Sequence, residues 1–253
     1  MKTLLLWFLS LILLLALLLA GPAWLLLTDR VETGGSWSSA NRDSAGLAPL
    51  PEAYAPAVVQ VYAARAFSWR GAFGVHIWIA AKEAGADSYR LHQVLSWRRP
   101  TVVASSDTPD RAWFGQAPTL LADYRGDAAA RLIPQIADAA SRYPQADRYR
   151  VWPGPNSNSF IAWMVRQIDG FDVVLPVTAV GKDYLFGGFW APVPSGTGYQ
   201  FSLGGVFGVM FAIDEGIELN LLGLSLGVDV LRPALKLPGI GRIGLARPVI
   251  ERE

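Results

Sequence analysis

The chain opens on its longest apolar run, Leu4 to Leu27, which is almost free of polar residues. Its length of about 24 residues exceeds the roughly 20 that a helix needs to cross a bilayer. Lys2 precedes the run, and Asp29 and Arg30 follow it. The positive N-terminus favours an N-inside orientation, which places everything after the run outside the cytoplasm. A cleaved signal peptide is the alternative. Its apolar core is usually about 7–15 residues long. Here Ala20-Gly21-Pro22-Ala23 offers no clean small-x-small cleavage site, and Trp24 to Leu27 continues the run. The reading is an inner-membrane anchor with the globular part on the periplasmic, extracytoplasmic side. Thr33 to Pro56 is rich in Gly, Ser, Ala and Pro and reads as a linker. The chain thus divides into residues 1–30 (anchor or signal), 31–56 (linker) and 57–253 (globular).

Within the globular part the period switches to two. Ala57–Arg65 is a strand-like run. Phe73–Lys82 alternates, with Val75, Ile77 and Ile79 on one face and His76, Trp78 and Ala80 on the other. Ser88–Trp97 alternates again. Glu83-Ala84-Gly85 between them suits a three-residue hairpin loop with Gly85 in its left-handed position. That register puts His76 opposite His92; a two-residue loop puts Gln93 there instead. Thr101–Asp110 reads as a strand end or loop. Pro118–Tyr124 and Asp127–Tyr143 read as helices, the second kinked or divided at Pro134 and ended by Pro144.

Val151-Trp152-Pro153-Gly154-Pro155 cannot be regular structure, and a helical period follows it. Phe160, Met164 and Ile168 recur at i, i+4 and i+8, and Gly170 stands where a helix would stop. A helix over about 158–168, docked on the sheet face that bears His76, is expected, with Asn156, Ser157, Asn158 and Ser159 at its N-terminus. Those residues are good caps. They also sit where backbone N–H groups gather, so a nucleophile or anion site is the sharper reading.

Further on, Val173–Val177 reads as a strand, and Gly181-Lys182-Asp183-Tyr184 as a turn or part of a site. Gly187–Gly198 reads as loop. Tyr199–Ile213 and Ile217–Val230 form the arms of a hairpin turning at Asp214-Glu215-Gly216. The apolar parity of the second arm reverses near Leu222-Gly223, where a bulge would reconcile it. Both arms are apolar enough to face a core or a lipid surface. Pro233 to Gly244 reads as an extended tail. The fold class is α+β: an antiparallel sheet packed with helices, a C-terminal glycine-rich β-hairpin and an N-terminal transmembrane helix.

Composition narrows the chemistry. Lys plus Arg (22) nearly balance Asp plus Glu (21), so no basic face for nucleic acid is implied. The absence of cysteine excludes disulfides, thiolate metal sites and cysteine nucleophiles. Two histidines, His76 and His92, are too few for a multi-histidine metal site. No cofactor is expected. Nucleophilic hydrolysis remains open: Ser157 or Ser159 at a helix start, His76 as base, and His92, Gln93 or a carboxylate to orient it.

Asn156-Ser157-Asn158-Ser159-Phe160, following a strand histidine, resembles the Asn-Cys-x-x-Phe motif of circularly permuted NlpC/papain-like domains, which include lecithin retinol acyltransferase. The likeness covers roughly Ala57 to Asp169 and has serine where that superfamily has cysteine. It implies a permuted papain-like fold, with Ser157 as nucleophile, His76 as base and His92 as orienting residue. Asn156, Asn158, Ser159 and Trp78 would then lie around the substrate or oxyanion. A second resemblance covers nearly everything after the anchor. Arg42–Pro49, Trp69–His76, Trp152–Phe160 and Leu235–Gly241 are similar to a bacterial family known as domain of unknown function 3750, which implies no activity. Two functions follow as expectations. One is a noncatalytic binding or scaffold protein of the envelope, held to the membrane through residues 4–27, with an envelope peptide or lipid as ligand. The other is a serine hydrolase or acyltransferase acting on an envelope amide or ester.

Overall fold

The alternating runs form strands that pair where apolar side chains can be covered on both faces. The computed structural model describes residues 2–253. Strands β1 (Val58–Arg65), β2 (Val75–Lys82), β3 (Arg90–Val94), β4 (Val102–Ser106) and β5 (Thr119–Arg125) join with the C-terminal β13 (Ile250–Arg252). The order is β13-β5-β1-β2-β3-β4, antiparallel except for β13 against β5. Helices α2 (Gly126–Ser141) and α3 (Ser157–Gln167) cover one face. There Leu132, Ile136, Phe160, Ile161 and Met164 pack on Val59, Val61, Ile77 and Ile79, all buried. The opposite face carries Tyr62, Trp78, Ala80 and Leu91 and is closed by Trp113 and Tyr89 from loops.

A second sheet follows: β6 (Trp190–Pro192), β7 (Gly198–Leu203), β8 (Phe207–Ala212), β9 (Gly216–Leu221), β10 (Leu224–Asp229), β11 (Ala234–Leu237) and β12 (Gly241–Gly244). It is an antiparallel meander in chain order. The apolar run becomes α1 (Lys2–Leu27), continuous through Pro22. It is the one helix among the described residues long and apolar enough to cross a membrane. It is not wholly separate from the rest: Leu18, Gly21, Pro22 and Leu25 are buried against the β11–β12 turn and a short 3-10 turn at Ser68–Ala72.

Several expectations are corrected. Residues 119–125 are a strand, not a helix, because β1 needs a partner on its second edge. A short apolar run does not distinguish the two states by period. Helix α2 passes Pro134 undivided. Val173–Val177 takes no strand, although Val173 and Leu175 are buried. Each arm of the expected C-terminal hairpin is itself a hairpin, and the tail forms another. The parity reversal at Leu222-Gly223 is a two-residue turn, not a bulge: Leu221 pairs with Leu224, and both turn residues have positive φ (54° and 74°). That is the backbone of a type I′ hairpin turn. The segment 31–56 has no helix or strand, yet the domain holds it: Asp110 accepts hydrogen bonds from the Ser44 hydroxyl and the Leu47 and Ala48 amides.

Candidate functional site

The entrance to α3 is built by its own sequence. Asn156 is the N-cap, with extended backbone. Its Oδ1 accepts from the backbone N–H of Asn158 (3.0 Å) and Ser159 (3.1 Å). The Ser159 hydroxyl accepts from the Asn156 amide at 2.6 Å and donates to the Asn156 carbonyl at 2.9 Å. This reciprocal pair is a capping box. Asn156 Nδ2 donates to the carbonyls of Val151 and Val180, both at 3.0 Å. Asn158 Nδ2 donates to the carbonyls of Val75 and Val180, both at 2.9 Å, pinning the helix start to β2. Gly181 makes the approach possible: a Cβ there would overlap the Asn156 amide. Ser157 is buried, and its hydroxyl takes no part in the capping box. Asn156→Ala removes the cap and two buried donors at once. We expect a loss of about 2 kcal/mol in urea unfolding, the upper part of the range for caps, against no more than a few tenths for Ser157→Ala.

The histidines do not form a pair. The connection between β2 and β3 is longer than a three-residue loop, and Ile79, not His76, lies opposite His92. His76 instead shares its face with Gln93, and His76 Nε2 lies 3.1 Å from Gln93 Oε1. An amide oxygen only accepts, so Nε2 carries the proton and Nδ1 keeps the lone pair. The imidazole stacks on Trp113, with ring centroids 3.7 Å apart and planes 15° apart, and lies 5.8 Å from Trp78. Burial pushes its pKa down to about 4, opposed by the Gln93 bond and assisted by Arg111. His92 is also lowered to about 4, by burial and then by Arg90. Its Nδ1 is buried without a partner among the described residues. Both rings are therefore neutral at neutral pH.

The helix start and His76 lie on opposite faces. Helix α3 packs on the face of Val75, Ile77 and Ile79, whereas His76 projects with Trp78 into the aromatic layer behind. The expected docking of α3 on the His76 face is thus reversed. His92 is on the α3 side, but it sits opposite Ile79, about 13 Å along the strand from Val75. Asn156, Asn158 and Ser159 are gathered together, His76, Trp78 and Gln93 are gathered on the opposite face, and His92 makes no hydrogen bond to either group through its buried Nδ1. Two surface concavities of about 280 and 310 Å³ include none of Ser157, His76 and His92.

A second polar cluster was not legible in the chain except for its first two members. Lys182 Nζ lies 3.0 Å from Asp183 Oδ1 and 2.8 Å from Glu218 Oε2. Glu218 Oε1 lies 2.6 Å from Lys236 Nζ. Asp183 also accepts from Asn220 (2.9 Å) and Ser225 (3.1 Å). All six are buried. Burial acts to lower the Lys182 pKa, but Asp183 and Glu218 outweigh it and hold it above the usual lysine range. Burial likewise acts to raise Asp183, and Lys182 outweighs it, leaving that carboxyl below the usual range. Glu218 and Asn220 alternate with apolar residues in β9, and Lys236 interrupts the apolar β11, which was the available signal.

The fold defines a two-sheet α+β architecture behind an apolar N-terminal helix, with a capped helix entrance and a buried ion cluster joining the turn at Lys182-Asp183 to the second sheet. A model of the family described as "Protein of unknown function (DUF3750)" matches residues 56–184, and the chain belongs to that family. No curated protein and no solved structure matches the chain.

Proposed function

We propose that this protein is anchored in the inner membrane by α1, with its globular part on the extracytoplasmic side, where it binds or scaffolds and does not catalyse. The length and apolar character of α1 support the anchor. The observation that carries the noncatalytic half is the closure of the α3 entrance. An oxyanion site needs free backbone N–H groups aimed at the reacting atom. Here the Asn158 and Ser159 amides are both taken by Asn156 Oδ1, and the Ser159 hydroxyl is held within the capping box. The position of His76 behind the sheet points the same way, since a general base must reach its proton within hydrogen-bond distance or through one water.

One observation favours the second reading, a permuted papain-like serine hydrolase or acyltransferase acting on an envelope amide or ester. His76 is neutral and oriented by Gln93, as a base would be, and the Ser157 hydroxyl lies outside the capping box. The readings separate on a serine-reactive fluorophosphonate probe applied to the purified full chain. We expect no labelling that depends on Ser157. Labelling lost in both Ser157→Ala and His76→Ala would establish the hydrolase.

A further inference from the structure

The second sheet is built inside out. Its register aligns one row across six strands: Tyr199, Phe211, Ile217, Val228, Leu235 and Ile243. Their exposures are 54, 57, 43, 38, 53 and 48%, so this row lies on the open face. Every other position on that face is also uncharged, from Trp190 on one edge strand to Gly241 on the other. The adjacent row on the inner face contains Gln200, Glu218 and Lys236, all buried. The choice of face is not free. A slip of one residue in a strand turns its side chains over, and here the inner side is tied by the Glu218–Lys182 and Glu218–Lys236 ion pairs and by Asn220 and Ser225 on Asp183.

Seven strands at a spacing of about 4.8 Å span roughly 30 Å, and six residues run about 20 Å. A continuous apolar face of that size is at the upper end of what a soluble monomer exposes. What covers it is indicated by α1. Gly21 and Pro22 of that helix pack on Pro238 and Gly239, the turn that joins β11 to β12 of this sheet. The close approach requires glycine at position 21, since a Cβ there would run into the Pro238 carbonyl. The apolar helix leaves the protein at one edge of the apolar face. At the far edge Trp190 stacks on Tyr199 (ring centroids 5.4 Å apart), two side chains suited to the headgroup level.

We infer that the open face of this sheet lies on the bilayer that α1 enters, its side chains in contact with lipid acyl chains near the headgroup boundary. This rests on the reading of α1 as an anchor. The globular part is then held to the membrane at two places, and a binding surface on the first sheet would be fixed in orientation to it.

The chain contains no cysteine, so single thiols can be introduced cleanly. Leu9→Cys reports α1, Leu219→Cys the open face, and Gln135→Cys the exposed side of α2. Each full-length variant is labelled with an environment-sensitive fluorophore and reconstituted in phosphatidylcholine vesicles. Some vesicles carry a nitroxide near the top of the acyl chain, others a nitroxide near its end. The proposal expects the probe at 219 to be blue-shifted and quenched more by the shallow nitroxide than by the deep one, with 135 unaffected and 9 quenched. Quenching at 9 with a water-like, unquenched probe at 219 overturns the proposal and leaves the anchor standing. A blue-shifted but unquenched probe at 219, with disulfide cross-linking between copies of the unlabelled Leu219→Cys variant, overturns it in favour of a sheet-on-sheet dimer. No quenching at either 9 or 219 overturns the anchor itself.

Discussion

Lys182→Met should destabilise the protein by about 3–5 kcal/mol, the cost of removing one partner from a buried ion pair. The cause is local. Lys182 is 1% exposed and stands between Asp183 and Glu218, at 3.0 and 2.8 Å. Methionine replaces most of the volume and no charge. Glu218 keeps Lys236 at 2.6 Å, but Asp183 is left with only the Asn220 amide and the Ser225 hydroxyl. Its carboxylate then lies buried with no cation in contact, the Arg166 charge acting only from a distance, and its pKa should rise. Asp183→Asn added to Lys182→Met should recover part of the loss, because it removes the stranded charge. Urea unfolding of the full chain in mild detergent, followed by tryptophan fluorescence, measures both. A loss below about 1 kcal/mol, a typical surface value, would mean that water reaches the cluster. Lys182 and Asp183 lie within the family match and Glu218, Asn220, Ser225 and Lys236 beyond it, so the same variant tests whether the two sheets unfold together.

Acid should weaken the fold through its two histidines, by up to about 3 kcal/mol each. Burial lowers both from 6.5 to about 4, and a tenfold change in proton affinity corresponds to about 1.4 kcal/mol. The unfolded chain binds these protons near pH 6.5 and the folded chain only near pH 4, so unfolding takes up protons between those values. The contribution is fully present above pH 6.5, falls as the pH drops through that window, and is gone below about 4. His76 faces Gln93, Trp113, Trp78 and the Arg111 charge; His92 has Arg90 nearby and no partner for Nδ1 among the described residues. Neither ring has an acidic partner among these groups to hold a proton. Comparing the wild type with a His76→Gln/His92→Gln double variant at pH 7, 5.5 and 4 isolates the effect, since carboxylates such as Asp183 titrate in both. Parallel stability–pH curves would show that the rings are protonated without cost.

Much of the first sheet was legible because its periods are local. β1, β2 and α3 lie within about two residues of where alternation and the i, i+4 stripe placed them. The Asn156 cap was legible for the same reason: capping geometry involves only the four residues that make it. Helix α1 follows from length and apolarity alone.

What failed was long-range. The 119–125 run contains no feature that distinguishes strand from helix; the open edge of β1 decided it. The His76–His92 pairing depended on loop length, and the longer connection places Gln93 beside His76. The docking of α3 depended on which face of β2 would be covered. Alternation separates Val75 and Ile77 from His76 and Trp78 but does not say which set meets the helix. The second sheet shows the limit most plainly. Its alternating rows were visible at Ile217, Leu219 and Leu221 against Glu218 and Asn220, and the usual rule would send the apolar row inward. Tertiary structure reversed it, because buried Lys182 and Asp183, in the turn that precedes the second sheet, demand partners, and the polar row supplies them. Period is a property of neighbours in sequence, whereas the direction of a face is set by charges that meet only when the chain is folded.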